Sequence, residues 1–239
     1  MAKTKIERDR LEQILQIPVN GIMLEGALLI PEDARGIVLF AHGSGSSRHS
    51  PRNNFVAQVL QIAGFGTFLL DLLTREEAAR YENRFDIDLL TCRLERATQC
   101  VMEQPRSESL DIGYFGASTG AAAALQAAAM FGEAIGAVVS RGGRPDLAMA
   151  ALASVEAPTL LIVGALDDQV MEFNRRAYER LKAEKHLEIV PGASHLFEEP
   201  GTLQDVARLA GQWFKRHLGR NSFKESAITE FPLRKHHAP

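Results

Sequence analysis

Short apolar runs alternate with amphipathic segments along most of the chain. The runs are bounded by glycine or polar residues, which is typical of strands buried within a sheet. Such strands are predicted at residues 36–42, 66–70, 111–115, 135–140, 159–163 and 187–190. Between them, apolar residues recur at helical spacing and predict helices. The predicted helices cover residues 53–63, 84–103, 119–130, 172–182 and 202–218.

This alternation predicts an α/β fold, with a mostly parallel central sheet and helices on both faces. Upstream, two strands are predicted at 17–23 and 26–30, around Glu25-Gly26, as an antiparallel edge of the sheet. We expect one domain over 17–219, an N-terminal extension over 1–16 and a loosely ordered tail over 220–239. Residues 141–157 are too few to form a large lid domain.

Composition narrows the possible partners. The chain has 239 residues, enough for a sizeable core, and its net charge of -3 without a long basic run argues against a nucleic-acid partner. No apolar stretch predicts a membrane span, and the charged start lacks the apolar core of a signal peptide. Cys92 and Cys100 fall about two turns apart on one predicted helix, too far to bridge. We therefore expect a cytoplasmic protein with reduced thiols, either a monomer or a homodimer.

The stretch Gly116-Ala117-Ser118-Thr119-Gly120 lies between a predicted strand and a predicted helix. A nucleophile elbow has this pattern and this context, because a strained turn lifts the serine hydroxyl above the end of the strand. The flanking glycines leave room for the helix to pack closely on the strand. The pattern alone is weak, since about one chain in ten of this length carries it by chance. The alternative is that Ser118 is simply the N-cap of the helix.

A serine nucleophile needs a general base, and after an elbow the acid and then the histidine follow along the chain. His195 follows a predicted strand and precedes the last helix, so we expect it at the same edge of the sheet as Ser118. His186 precedes a strand and therefore lies at the opposite edge. His217 falls late in the final helix. His195 is the predicted base.

The acid should follow the strand predicted at 159–163. Asp167 and Asp168 both satisfy this position, and one of them is expected to orient the imidazole while the other caps the next helix. Asp146 and Glu156 lie away from strand ends and are poorer candidates. Position along the chain leaves the choice between Asp167 and Asp168 open.

An oxyanion hole would combine two backbone N–H groups. The first is expected from Thr119, directly after the nucleophile. The second is expected from Ser44 or its neighbours in the glycine-rich loop 42–47, which follows a predicted strand. This loop lacks the lysine and the spacing of a phosphate-binding P-loop, so that alternative ranks lower.

Four motifs in this order resemble the dienelactone hydrolase-like branch of the α/β-hydrolases. They are His42-Gly43-Ser44-Gly45, the pentapeptide around Ser118, Gly164-x-x-Asp167-x-x-Val170 and Gly192-Ala193-Ser194-His195. The likeness also includes Asp71-Leu72-Leu73-Thr74 and covers roughly residues 17–218. The resemblance implies the α/β-hydrolase fold and a Ser118, His195, Asp167 triad, with Asp168 as the second choice for the acid. Dienelactone hydrolases proper carry a cysteine nucleophile, so the serine favours a carboxylesterase-like enzyme.

The expected reaction is hydrolysis of a small, soluble ester or lactone through an acyl-enzyme, without a metal or organic cofactor. Four arginines in predicted loops at the catalytic edge are candidates for binding a substrate carboxylate: Arg48, Arg52, Arg141 and Arg144. For each of them, a surface charge or a structural ion pair is the alternative.

Two other functions stay open from the sequence. The same triad serves thioesterases, peptidases and acyltransferases, and a hydrolase scaffold can also carry a non-catalytic binding protein. The His236-His237 pair has no partner ligands at useful spacing, so it predicts a solvated tail rather than a metal site.

Overall fold

Eight strands form one sheet in the computed structural model, which describes residues 12–219. The strands are β1 (Glu12–Val19), β2 (Ile22–Leu29), β3 (Gly36–Ala41), β4 (Gly66–Leu70), β5 (Asp111–Ala117), β6 (Ile135–Arg141), β7 (Thr159–Gly164) and β8 (Lys185–Val190). Their order across the sheet is β1-β2-β4-β3-β5-β6-β7-β8. All neighbours from β4 to β8 are parallel, while β2 is antiparallel to both β1 and β4. The mostly parallel sheet is therefore confirmed.

Helices cover both faces of the sheet. They are α1 (Pro51–Ile62), α2 (Arg75–Ala79), α3 (Ile87–Met102), α4 (Thr119–Phe131), α5 (Asp168–Arg180) and α6 (Thr202–His217). Helices α1 and α6 pack together on one face, and α3 and α4 pack together on the other. This is the α/β-hydrolase fold that the resemblance implied.

The core consists of two apolar layers, one on each face of the sheet. Successive residues of a strand point to opposite faces, so Leu39 joins the layer under α3 and α4, and Phe40 joins the layer under α1 and α6. Strands β3, β4 and β7 are buried along their whole length because both of their faces are covered. This burial explains why their sequences are continuously apolar.

The N-terminal hairpin lies at the antiparallel edge of the sheet, as predicted, but its turn was placed wrongly. Strands β1 and β2 are joined by Asn20-Gly21, and not by a turn at Glu25-Gly26. Asn20 and Gly21 have φ values of 48° and 78°, which suits a two-residue turn whose twist matches that of the strands. β1 begins at Glu12, within the segment predicted to precede the domain.

Side-chain caps move some helix boundaries from their predicted positions. The helix expected from residue 84 begins at Ile87, because the Asp86 carboxylate accepts the Leu89 N–H at 3.0 Å. The short helix α2 was not predicted at all. It begins with a capping box in which Thr74 and Glu77 each accept the other's backbone N–H.

Between β6 and β7 the chain forms two single turns of 3₁₀ helix, Pro145–Ala148 and Leu152–Ser154. These short turns leave no large lid domain there, as expected from the length of the segment. Cys92 and Cys100 both lie on α3 as free thiols, also as expected. No helix within residues 12–219 is long and apolar enough to cross a membrane. The predicted extension and tail, including His236 and His237, lie largely or wholly outside the described residues.

Candidate active site

Ser118 occupies a strained turn between β5 and α4. Its φ of 51° and ψ of −121° are unfavourable for a residue with a side chain, so the surrounding hydrogen bonds must hold the turn. The Ser118 N–H donates to the Arg141 carbonyl at 3.2 Å, and the Ser118 carbonyl accepts the N–H groups of Ala121 and Arg144, both at 3.0 Å. The Ser118 side chain makes no capping hydrogen bond to α4. The hydroxyl is therefore not used as a helix cap.

Two glycines let α4 approach the sheet closely enough to form this turn. A Cβ atom on Gly120 would lie 2.2 Å from the Ala41 carbonyl oxygen, and one on Gly116 would lie 2.4 Å from Cα of Ala121. Both distances are far below any normal contact. The predicted role of Gly116 and Gly120 in close helix–strand packing is confirmed.

Asp167 and His195 are brought together by hydrogen bonds between the loops that follow β7 and β8. The Leu166 N–H donates to the Ala193 carbonyl at 2.9 Å, and the Ala165 N–H donates to the Val190 carbonyl at 3.0 Å. As a result, Oδ2 of Asp167 lies 2.6 Å from Nδ1 of His195. Asp167 is largely buried, with 15% of its side chain exposed, while His195 is 38% exposed.

The contact between Asp167 and His195 fixes the orientation of the imidazole. With Nδ1–H donating to the carboxylate, Nε2 is left as the proton acceptor. Asp168 lies on the first turn of α5, exposed to solvent. Asp167 stands at the N-cap position of α5 but its side chain does not cap the helix. Its carboxylate is thus directed to the histidine.

The end of β6 links the serine turn to the histidine loop. Arg141 accepts the Ser118 N–H through its carbonyl, and a Cβ atom on the next residue, Gly142, would lie 3.1 Å from the His195 carbonyl oxygen and 3.5 Å from Nδ1. Ser118, Asp167 and His195 therefore lie around the carboxyl ends of β5, β7 and β8, at one edge of the sheet.

The loop after β3 passes directly beside the serine. A Cβ atom on Gly43 would lie 3.0 Å from Cβ of Ser118, so only glycine lets the loop come this close. Within residues 12–219, the N–H groups of Ser44 and Thr119 have no hydrogen-bond acceptor. Both candidate oxyanion donors are therefore available at the site.

His42 anchors this loop, a role that the sequence reasoning did not assign. Its Nε2 accepts the Leu72 N–H at 3.1 Å, so Nδ1 carries the proton and donates to the Gly43 carbonyl at 3.0 Å. Burial lowers the pKa of His42, although the Gly43 carbonyl and the Asp71 carboxylate act in the opposite direction. His42 is thus a neutral group that connects the loop to the residues after β4. In the sequence, the feature that could have indicated this role is a histidine placed directly after the apolar strand β3.

A cleft of about 500 Å³ opens beside the glycine-rich loop. Its lining includes Thr119, residues 42–49, parts of β1 and β2 and the segment between β4 and α3, but neither Ser118 nor His195. Arg48 stands in this cleft between two carboxylates: it donates to Glu25 at 2.7 Å and also pairs with Asp71. Asp71 accepts the Arg48 backbone N–H at 2.8 Å as well. This clamp positions the loop and is the structural ion pair that the sequence left open as the alternative for Arg48, whose binding of a substrate carboxylate stays a prediction.

The other candidate arginines have different surroundings. Arg144 makes two hydrogen bonds to the Asp146 carboxylate, at 2.8 and 2.7 Å, and Arg52 pairs with Glu198 at 2.8 Å. Arg141 is buried, and its side chain makes no hydrogen bond or ion pair within residues 12–219. Binding of a substrate carboxylate by any of these arginines stays a prediction. In the same part of the chain, no group of three or more His, Cys, Asp or Glu side chains is arranged to hold a metal ion.

A sequence model of the Dienelactone hydrolase family matches residues 24–218. The chain belongs to this family. A dienelactone hydrolase from Anabaena variabilis ATCC 29413 is 56% identical, with a TM-score of 0.84 over 87% of this chain and 98% of that one. The family and this relative support a hydrolase of the dienelactone hydrolase type.

Two proteins of Mycobacterium tuberculosis, from strains CDC 1551 / Oshkosh and ATCC 25618 / H37Rv, are 56% identical over 207 residues. Both are named "Putative phosphoribosyl transferase". The match covers 87% of this chain but 47% of each relative, so the chain spans about half of their length.

More distant members of the fold share the architecture at low identity. Est1E from Butyrivibrio proteoclasticus has a TM-score of 0.73 at 15% identity, over 85% of this chain and 98% of that one. The dienelactone hydrolase-like promiscuous phosphotriesterase P91, from metagenomic libraries, has a TM-score of 0.72 at 17% identity, over 87% and 98%. These likenesses concern the fold alone.

Proposed function

We propose that the protein is a serine hydrolase that cleaves a small, soluble ester or lactone through an acyl-enzyme. Ser118 is the nucleophile, His195 the general base and Asp167 the residue that orients it. The observation that supports this most strongly is the 2.6 Å contact between Asp167 Oδ2 and His195 Nδ1, made at the edge of the sheet where the Ser118 turn projects. The Ser118 hydroxyl makes no hydrogen bond to His195 within residues 12–219, but both groups lie at the same edge of the sheet, and acyl transfer needs such a serine and an oriented imidazole to meet at the substrate carbonyl.

In this mechanism, Nε2 of His195 takes the hydroxyl proton as Ser118 Oγ attacks the carbonyl carbon. The negative charge that develops on the carbonyl oxygen is stabilised by the N–H groups of Thr119 and Ser44, each commonly worth about 3 kcal/mol. The imidazolium, stabilised by Asp167, then protonates the departing alkoxide and leaves an acyl-enzyme. Water, activated by His195, attacks the acyl carbon and releases the acid and free Ser118.

The size of the cleft and the short β6–β7 connection support a small substrate. The cleft adjoins both proposed oxyanion donors, Ser44 and Thr119, and its volume of about 500 Å³ lies within the usual range for small-molecule sites. The two 3₁₀ turns between β6 and β7 provide little apolar cover for a long acyl chain. We therefore expect activity to fall, rather than rise, as the acyl chain of a test ester is lengthened.

The name of the mycobacterial relatives does not transfer to this chain. The matched part is about half of those proteins, and it matches a hydrolase family. The triad does not by itself distinguish esters from thioesters, peptides or acyl transfer. Parallel assays with p-nitrophenyl acetate, an acyl thioester and a peptide amide would rank these reactions.

The test is labelling by a fluorophosphonate probe, with the modified residue identified by mass spectrometry, together with hydrolysis of p-nitrophenyl acetate. We expect wild type to be labelled at Ser118 and to turn over, and Ser118→Ala to do neither. Ser46→Ala is the matched control, because Ser46 lies in the glycine-rich loop beside Ser118 and lines the adjacent cleft but is not assigned a catalytic step. Equal labelling of wild type and Ser118→Ala would refute the proposal.

A further inference from the structure

Arg141 is a buried charged side chain without a counterion in the part of the chain that the structure describes, residues 12–219. It is 7% exposed, and its Nε atom is buried without an acceptor. Within residues 12–219, its guanidinium contacts the face of the Phe197 ring, 5.8 Å from the centroid, but makes no hydrogen bond or ion pair. Burying an ion without a partner is costly, so a native protein normally supplies one.

A second cation lies close by: Arg52 pairs with Glu198, the residue that follows Phe197, whose ring the Arg141 guanidinium contacts. Burial, together with the charge of Arg52, lowers the pKa of Arg141 to about 10, which still leaves it protonated at neutral pH. The Nε atom of Arg52 is likewise buried without an acceptor. Arg52 has one anionic partner, Glu198, at 2.8 Å, and Glu198 is 62% exposed to solvent. Within residues 12–219, Arg52 thus has one solvent-exposed carboxylate as its anionic partner, and Arg141 has none.

Arg141 is connected to the proposed catalytic groups through its backbone and through Phe197. The Arg141 carbonyl accepts the Ser118 N–H, and Phe197, whose ring contacts the Arg141 guanidinium, follows His195 by two residues. A ligand on the Arg141 guanidinium would therefore be about one arginine side chain away from the serine turn. The site differs from the cleft, whose lining includes neither Arg141 nor Arg52.

We propose that Arg141 and Arg52 form a binding site for a small oxyanion, a carboxylate or a phosphate, next to the loop that carries His195. Two guanidinium forks match the oxygens of such an anion and supply charge-assisted hydrogen bonds. The ligand replaces Glu198 on Arg52 and gives Arg141 the counterion it lacks. Its negative charge is placed next to the loop that carries His195, because the Arg141 guanidinium contacts Phe197 of that loop.

Direct binding tests the site independently of the proposed hydrolase activity. The melting temperature is measured in succinate and in inorganic phosphate, with sodium chloride used to hold the ionic strength constant. Wild type and Ser118→Ala are expected to be stabilised equally, with the logarithmic dependence on concentration that ligand binding to the folded state produces. Binding that survives in Ser118→Ala stands even if the hydrolase proposal fails.

Three variants give different expected results. Arg141→Met abolishes the anion-dependent rise, while its melting temperature in anion-free buffer equals or exceeds that of wild type, because an unpaired buried charge is removed. Glu198→Gln tightens binding by about threefold or more, because a competing carboxylate is lost. Arg208→Gln is the control and binds as wild type does, since Arg208 pairs with Asp205 on α6.

The proposal is overturned if neither anion stabilises wild type more than chloride does, or if Arg141→Met retains the full effect. The first result would mean that water alone satisfies the two guanidinium groups. Steady-state kinetics distinguish an anion that binds as a free ligand from an anionic group carried by the substrate. Succinate that changes the hydrolysis of p-nitrophenyl acetate without competing with it acts as a free ligand. Competition, together with a lower KM for the p-nitrophenyl half-ester of succinate, indicates that the substrate itself carries the group.

Discussion

A single hydrogen bond from the Leu72 N–H to Nε2 of His42, at 3.1 Å, joins the loop after β3 to the residues after β4. The same ring donates through Nδ1 to Gly43, whose backbone lies against Cβ of Ser118. His42 is therefore a positioning residue for the proposed oxyanion donor at Ser44. It acts through the loop and has no role in proton transfer.

We expect His42→Ala to lower kcat for p-nitrophenyl acetate by about tenfold, part of the effect of losing one oxyanion donor, with a smaller change in KM. Steady-state kinetics provide the measurement. His49→Ala is the control, since His49 lines the same cleft but is exposed and uses only its backbone N–H in a hydrogen bond. Equal losses in the two variants would show that His42 does not position the loop.

His42 should also make stability depend on pH. Its pKa is lowered from 6.5 in the folded protein, chiefly by burial, so the unfolded chain binds the proton more readily. The stability that His42 contributes is complete above pH 6.5 and decreases as the pH falls below that value, with a slope of at most about 1.4 kcal/mol per pH unit.

Urea unfolding between pH 7 and pH 5 measures this dependence. The free energy of unfolding of wild type should fall more steeply over this interval than that of His42→Gln, whose side chain does not titrate. Parallel curves for the two proteins would exclude a contribution from His42.

Asp167 and Asp168 are adjacent in sequence but differ in their contacts, so they form a matched pair. Asp167→Asn should lower kcat by roughly a thousandfold or more, because an amide no longer stabilises the imidazolium or holds the required tautomer. Asp168→Asn should change kcat by less than about twofold, since Asp168 is exposed and its effect is limited to the N-terminal charge of α5. If Asp168→Asn is the more damaging change, the acid has been misassigned.

Gly120 and Gly211 offer a second matched pair, for stability. Gly120→Ala places Cβ 2.2 Å from the Ala41 carbonyl oxygen and should lower the free energy of unfolding by about 3 kcal/mol. Gly211 lies inside α6, where an added Cβ meets only Leu60 at 3.8 Å. Gly211→Ala should therefore raise the free energy of unfolding by up to about 1 kcal/mol, because alanine favours the helix. Chemical denaturation measures both, and a tolerated Gly120→Ala would argue against the close packing of α4 on β3.

The apolar pattern determined the parallel strands and the main helices, because a strand covered on both faces has to be apolar along its length. Chain order and the motifs around Ser118, Asp167 and His195 were also sufficient to predict which residues would meet at one edge. The hairpin turn was misplaced although Asn20-Gly21 is a strong local turn signal. Gly26 lies within β2 instead of at a turn, and its lack of a side chain makes room for the Phe68 ring.

Tertiary structure alone decided which polar groups are paired. The sequence places Arg48, Arg141 and Arg144 alike, each in a predicted loop at the catalytic edge. In the structure, however, Arg48 pairs with two carboxylates, Arg144 pairs with one, and Arg141 pairs with none within residues 12–219. The roles of His42 and of the Glu25–Arg48–Asp71 clamp likewise depend on contacts between segments far apart in the chain. Apolar burial follows from a repeating pattern along the sequence, whereas a hydrogen bond between two loops depends on the distances that the folded sheet imposes.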